Sequence, residues 1–440
     1  MLPGPPDEWP LERRGQSAAL TISSGRGGNC NLILIPRGVS DNVLGSRANG
    51  NAESKESDVR VRVIIQEKSQ TMSARLQEGD EQRGTRMPKR GRERLYLVFD
   101  DWCHGYSIRM VNLLKHTAGS GHPAPVHFSQ PFCRIMAPLV SYFTSAFGAK
   151  ILAVFSRDPE ADSESYFPML DVRSQCVTFA PGQLCPIPPI YYLPVGNELF
   201  CLSFCSFEML CSEVLSPRLQ DQSCSMGWSW KQLSEKPPFY VDHVTSYSLH
   251  PEERTFLFST KTGAAEATYT FDTQKRSWKL LGNWKLPFAG CAHFDPGLNC
   301  FVGLSKEPDT LGQIYSCQVP IYDTDDGLCP PPVVKLCKEN LLSERPRDMH
   351  VGATLVYMGG KSEFCLVQCV SPDQDRMDED DVAHGAQLPG RRRFYRLTTF
   401  SLSFNKDKEL TTGNTRRLQY YKVPKEATKP FLQDPVAFWM

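Results

Sequence analysis

From residue 94 onward, short apolar runs alternate with clusters of Gly, Pro, Asp and Asn. "RLYLVFDD", "AKILAVFS", "NELFCLSF" and "RTFLFST" are typical, rich in Val, Ile, Phe, Tyr and Leu. Runs of this length, bounded by turn residues, read as β-strands. No long segment keeps a 3.6-residue apolar period between helix caps, so the pattern excludes an α-helical core. "ENLLSERP" is at most a short helix, and "APLVSYFTSAFG" (137–148) fits helix or strand equally.

The strands recur in groups. "RLYLVFDD" goes with "YSIRMVNLL", and "AKILAVFS" with "SYFPMLDVRSQCVTF". Next come "NELFCLSF", "FEMLC" and "WSWKQL", then "RTFLFST", "ATYTFDT" and "SWKLLG". "NCFVGLS", "GQIYSCQV" and "PPVVKLC" follow, and "SEFCLVQCV", "RRFYRLTTFSLSF" and "RRLQYYKV" end the series. Groups of roughly 45–60 residues match the period of propeller blades. In "YTFDTQKRSW" a strand ends at Asp272, whose side chain, with that of Thr273, is expected to hold the turn by local hydrogen bonds. Trp278 opens the next strand and offers a large face to the gap between blades. The reading is inner strand, Asp turn, outer strand. "MLDVRSQCVTF" repeats it at Asp171 and Val177, and Trp230 takes the corresponding outer position. The expected fold is therefore an all-β propeller of about six blades over 94–440. "DPVAFWM" is expected to complete the first blade and lock the termini together.

Residues 1–93 differ in kind. Of 46 aromatic residues only Trp9 lies there. A segment without aromatic anchors does not offset its ordering entropy, so it reads as a disordered N-terminal segment. "NLILIP" (31–36) and "VRVRVIIQ" (59–66) read as transient strands. "RMPKRGRER" at its end fits a basic linker or a nuclear localisation signal. The first residues do not read as a signal peptide, and no apolar run approaches the ~20 residues of a membrane span. A zero formal net charge makes nucleic acid an unlikely partner. The 16 cysteines lie mostly in apolar runs, without Cys-x-x-Cys spacing. They read as buried free thiols, neither a zinc site nor a disulfide framework. The expected location is the cytoplasm or nucleus.

Chemistry is sparse. Among the nine histidines, His243 and His250 flank "VTSYSL" at an odd spacing, which puts them on opposite strand faces. Each reads as a turn or rim residue. A copper site would need a Tyr/Cys pair beside two His. "YDTDDG" (322–327) and "DQDRMDEDD" (373–381) lack the ligand spacing of a calcium loop. "GRRRF" (390–394) follows the second acidic run and reads as part of one charged loop. No phosphate loop, dinucleotide fingerprint or nucleophile elbow appears. No catalytic, cofactor-binding or metal residue is therefore assigned, and no cofactor is expected.

"SYSLHPEERTFLFST", "TYTFDTQKRSWKLLGNWKLPFAGCAHFDPGLNCFVGLS" and "HVGATLVYMGGKSEFCLVQC" together resemble a plant family, expanded in grasses, catalogued as domain of unknown function 1668. The resemblance spans 94–440 and implies a kelch-like propeller and a plant source, with no assigned activity. The double Gly of a kelch blade occurs here only as Gly359-Gly360. Some plant kelch-type propellers carry an F-box and act as ubiquitin-ligase substrate receptors; no F-box precedes these blades. The expected function is a non-enzymatic protein-interaction module with protein partners, with substrate recognition in ubiquitination as its specific version. The alternative is a propeller enzyme with a small-molecule site in its central channel.

Overall fold

The computed structural model describes residues 93–440 apart from 103–104, 114–123, 137–140, 156–165, 186–190, 214–226, 251–253, 320–326, 343–344, 346–347, 373–392 and 414–415. It also describes the backbone of three N-terminal strands, β1 (Ala19–Ser24), β2 (Asn29–Ile35) and β3 (Arg62–Gln66). The remainder of 1–92, on which the expectation of disorder falls, lies outside the described residues. β2 and β3 coincide with the two apolar runs read as transient strands, and they pair antiparallel.

Most of the other strands form antiparallel quartets in chain order. Quartet I contains β4 (Leu95–Trp102), β5 (Gly105–Val111) and β7 (Cys133–Met136), with the short β6 (Val126–His127) between the last two in sequence. Quartet II is β8 (Ser141–Ala146), β9 (Lys150–Phe155), β10 (Tyr166–Asp171) and β11 (Cys176–Pro181). Quartet III is β12 (Tyr191–Val195), β13 (Glu198–Leu202), β14 (Phe207–Glu213) and β15 (Gly227–Gln232). Quartet IV is β16 (Val244–His250), β17 (Thr255–Thr262), β18 (Ala265–Asp272) and β19 (Ser277–Gly282). Quartet V is β20 (Gly290–Asp295), β21 (Cys300–Leu304), β22 (Ile314–Gln318) and β23 (Val333–Leu336). Quartet VI is β24 (Asp348–Gly359), β25 (Glu363–Pro372), β26 (Phe394–Phe404) and β28 (Arg417–Lys422), with β27 (Leu410–Thr412) on the far end of β26. A five-residue helix, α1 (Lys429–Gln433), leads to the last strand, β29 (Val436–Trp439).

β29 returns to quartet I and pairs antiparallel with β4, Val436 opposite Val98 and Trp439 opposite Leu95. The pairing extends one residue further. The N–H of Arg94 donates to the Met440 carbonyl at 2.6 Å, and the N–H of Met440 donates back at 3.1 Å. The last strand therefore completes the first quartet, as the sequence led one to expect.

The apolar core lies between quartets rather than inside any one of them. One cluster joins I to II and II to III, through Val98, Ile108, Ile151, Met169, Leu199 and Trp230. Others fill the III–IV, IV–V and V–VI seams. The last joins VI back to I, setting Leu97 and Phe99 against Val367 and Tyr395. Each sheet is packed on both faces, which explains why its middle strands read as nearly continuous apolar runs. Quartets IV and V are joined into one sheet by parallel pairing of β16 with β20, and β6 adds in parallel to β28. Twisted, mainly antiparallel sheets packed face to face around a closed circuit make an all-β propeller.

Two features of the seams follow from the sequence. Trp230 donates its indole N–H to the Pro181 carbonyl across the II–III seam at 2.7 Å. Trp278 packs on Phe207 across the III–IV seam, with ring centroids 5.6 Å apart. Both bridge neighbouring sheets as expected. The turns also repeat. Asp171, Asp272 and Asp295 each lie opposite the residue five positions on: Cys176, Ser277 and Cys300. The Asp272 carboxylate accepts the N–H groups of Gln274 and Lys275 at 2.8 and 2.9 Å. Asp171 does the same with Arg173 and Ser174, and Asp295 accepts from Leu298. Gln175, Arg276 and Asn299 then take left-handed φ of 59°, 53° and 50°. The short Asp side chain replaces backbone partners that the turn leaves unpaired. One detail differs from expectation: β18 is the third strand of its quartet, not the inner one, so this turn joins the third strand to the outermost. Thr273 donates its hydroxyl to the Arg254 carbonyl at 2.7 Å and so ties two neighbouring turns together, rather than holding its own.

Candidate interaction surface

Among the described residues, the III–IV seam gathers the densest cluster of aromatic rings. Phe200 and Phe207 of quartet III meet Phe256, Phe258, Phe271 and Trp278 of quartet IV. Phe207 and Phe271 are edge-to-face at 4.9 Å, and Phe271 lies 4.8 Å from Trp278. Edge-to-face pairs of this kind add about 0.5–1.5 kcal/mol each beyond area burial. The result is a rigid floor.

Three connections leave quartet III at one end of its sheet: the segment entering β12, the β13–β14 turn and the segment leaving β15. Antiparallel pairing of β12 through β15 places them together. Each carries an exposed apolar side chain: Leu184 (54% exposed), Phe204 (63%) and Tyr240 (75%).

Each connection is held from beneath. The buried Glu208 of β14 accepts the N–H of Cys185 at 3.0 Å and of Leu184 at 3.2 Å. Desolvation pushes its carboxyl above the ordinary value, against the opposing pull of Ser206 and these two N–H groups. In the β13–β14 turn, Ser203 Oγ accepts the N–H groups of Ser206 and Cys205 at 3.0 and 3.3 Å, which leaves Phe204 at the tip. On the third connection, Phe239 turns inward against Trp278 at 5.3 Å while Tyr240 turns outward beside His243. A rigid scaffold presenting apolar side chains on short loops is a common arrangement for binding.

A concave feature lies between quartets V and VI. A cavity of about 170 Å³ is bordered by Lys306, Leu342, His350, Gly352 and Gln433. It is smaller than the ~300–1,000 Å³ of ordinary small-molecule sites. Lys306 pairs with Asp434 at 3.1 Å. Burial, then Lys306, hold the His350 imidazole below its ordinary value. Gly352 is required here, because a Cβ would sit 1.9 Å from the Gln433 carbonyl oxygen.

The described histidines are dispersed. His243 lies in a short turn with its Nδ1 2.9 Å from the Thr262 hydroxyl. His250 is not a turn or rim residue: it is buried in β16 against Phe294, because its position faces the IV–V seam. The two have different partners, and because His243 precedes β16 they do not lie on one strand as their spacing assumed. His293 Nε2 is 2.9 Å from the Leu355 carbonyl, and His127 is 3.2 Å from Lys422. A Tyr/Cys pair does occur: the Tyr247 hydroxyl hydrogen-bonds to the Cys291 thiol. Among the described residues no group of three or more His, Cys, Asp or Glu is placed to hold a metal ion. Residues 373–392, with the second acidic run and most of "GRRRF", and most of "YDTDDG" lie outside the described residues. Sequence reasoning assigned no binding residue. Leu184, Phe204 and Tyr240 carry no motif, and only the position of their connections in the quartet singles them out.

Among solved structures, the chain is similar to hydrazine synthase of Kuenenia stuttgartiensis, with 10% identity and a TM-score of 0.27. The match covers 61% of this chain and 64% of that one, so this chain spans less than two thirds of its length. It is similar to a chain of a nidogen/laminin complex at 10% identity and a TM-score of 0.31, covering 76% of this chain and 99% of the other. It is also similar to the WD40 domain of SCAP from fission yeast at 10% identity and a TM-score of 0.28, covering 62% and 61%. Likenesses this remote bear on neither function nor partners. No curated protein matches the chain. The family model of a protein of unknown function, DUF1668, matches residues 92–421, three quarters of the chain, and the protein belongs to that family.

Proposed function

We propose that this chain is a non-enzymatic protein-interaction module, a six-bladed, kelch-like propeller whose quartet III end docks a protein partner. The observation that carries the reading is the trio Leu184, Phe204 and Tyr240, exposed on three connections that leave one end of quartet III. Buried apolar and aromatic anchors supply most of the energy of protein association. The kelch reading is supported by Gly359 and Gly360, which form the β24–β25 turn with φ of 73° and 62°. The cysteines of the described residues are free thiols, in keeping with a protein of the cytoplasm or nucleus. The specific version of this role is substrate recognition in ubiquitination.

The test is affinity purification of the full chain from native extract, beside a Leu184→Ser/Phe204→Ser/Tyr240→Ser variant. The variant is expected to keep its unfolding midpoint and lose the co-purifying protein. An identical set of bound proteins would overturn the assignment. A cullin-ligase adaptor among the lost proteins would support the ubiquitination role.

A further inference from the structure

The same end of quartet III holds two thiols in contact. Cys185 Sγ lies 2.8 Å from Cys205 Sγ. Two separate anchors produce the approach. Glu208 fixes the Cys185 main chain, and Ser203 Oγ fixes that of Cys205. The other described thiols at the surface have different surroundings. Cys176 faces the Ser174 carbonyl at 3.6 Å, and Cys291 faces Tyr247 and the Ala292 carbonyl. Closing the pair to the ~2.0 Å of a disulfide moves the sulfurs by less than ~1 Å. Cys205 is exposed and Cys185 half-buried beside it, so an incoming reagent meets Cys205 first.

We propose that Cys185 and Cys205 are a modification site: exchange with a low-molecular-weight disulfide, such as oxidised glutathione, closes a reversible disulfide between the two connections. The Cys205 thiolate attacks one sulfur of the small disulfide and releases one small-molecule thiolate, leaving a mixed disulfide. The Cys185 thiolate then attacks Cys205 Sγ and releases the second. Two protons leave the cysteines, and their two electrons end on the two small-molecule thiols. Inside cells, disulfides of this kind are typically transient and redox-responsive. Closure also fixes Leu184 beside Phe204, the neighbours of the two cysteines, but the modification does not depend on what binds there.

Desolvation, followed by the hydrogen bond with Cys185, raises the Cys205 thiol above its ordinary value. The thiolate is the attacking species, so the reaction is expected to accelerate as the pH rises through neutrality.

The experiment equilibrates the full, natively folded chain in glutathione buffers of rising oxidised fraction, quenches with an alkylating reagent and maps it by mass. Chymotrypsin is needed, because no Lys or Arg lies between Arg173 and Arg218. The expected result is a linked pair of fragments carrying Cys185 and Cys205, reversed by dithiothreitol. A rise of several degrees in the unfolding midpoint should accompany it, since the bond closes a loop of about 20 residues. Cys185→Ser is expected to retain glutathione stably on Cys205, with no linked pair. The proposal is overturned if the wild-type chain keeps both thiols alkylatable at the most oxidising ratio, retains glutathione on Cys205, or links Cys205 to a different cysteine. The wild-type arm decides alone should the variant fail to fold.

Discussion

The III–IV seam and quartet VI solve the same problem, a buried sheet face, with different chemistry. The seam is filled with aromatic rings and needs almost no polar partners. Quartet VI carries a row of polar side chains across its strands: Gln368 opposite Arg396, and Arg396 opposite Tyr420. Arg396 is 4% exposed. It donates to the Leu341 carbonyl at 2.6 Å and to Gln368 Oε1 at 3.2 Å, and Gln368 in turn lies 3.4 Å from His350 Nδ1. Arg345 covers the Tyr420 ring at 4.6 Å. Rings tolerate small shifts, whereas a buried guanidinium requires its acceptors in place. The aromatic seam therefore supplies tolerant apolar packing, and the polar row supplies registration between quartet VI and the segment around Leu341.

Substitutions can break this comparison, and the largest effect is expected in the seam. Phe271→Ala removes a fully buried ring that touches Phe200, Phe207, Phe256 and Trp278, and should cost about 3–5 kcal/mol in denaturant unfolding. A loss below ~1 kcal/mol would mean that the seam readily collapses around the hole. In quartet VI, Arg396→Ala removes the buried donor to the Leu341 carbonyl and to Gln368 Oε1, with an expected cost of about 1–3 kcal/mol. Arg396→Met should recover part of that by filling the volume, a recovery that the aromatic seam has no polar counterpart for. Deleting 434–440 removes β29 and the Lys306–Asp434 pair, and should lower the unfolding midpoint by several degrees. An unchanged midpoint would contradict closure through β29.

The smallest expected effect is a pH dependence at the Asp171 turn. Partial burial opposes ionisation of Asp171, but the N–H groups of Ser174 and Arg173 and the Lys150 ammonium outweigh it and hold the carboxyl below its ordinary value. The folded value is lower than that of the unfolded chain. The turn thus contributes stability above pH ~4 and loses it as the pH falls through the folded value. Asp171→Asn should be less stable than the parent at pH 6, with the gap narrowing toward pH 2. A pH-independent gap would assign the effect to shape rather than charge.

The outer three strands of quartets III, IV and V were legible in the sequence, and so were the Asp turns and the bridging Trp residues. The first strands were not. β8 lay in the ambiguous stretch 137–148; β12, β16, β20 and β24 stood in no group. Their sequences explain this: β16 is "VTSYSLH" and β20 is "GCAHFD", in which buried and partly exposed positions alternate. β16 and β20 pair with each other in parallel where quartets IV and V meet, and their mixed burial never forms the continuous apolar run that marks a doubly covered strand. The last strand was found because a closing partner was expected for it. The candidate surface was not legible, because Leu184, Phe204 and Tyr240 are separated in sequence and only antiparallel pairing gathers their connections. Nor was the Cys185–Cys205 contact, which crosses a connection between quartets.

The most direct measurement places a photo-crosslinking phenylalanine analogue at position 204 in one preparation and at position 275, in the Asp272 turn, in another. Both are irradiated in native extract. Crosslinking of a discrete protein from position 204 alone is the predicted result. Equal crosslinking from both positions, or crosslinking from position 275 alone, would contradict docking at the quartet III end.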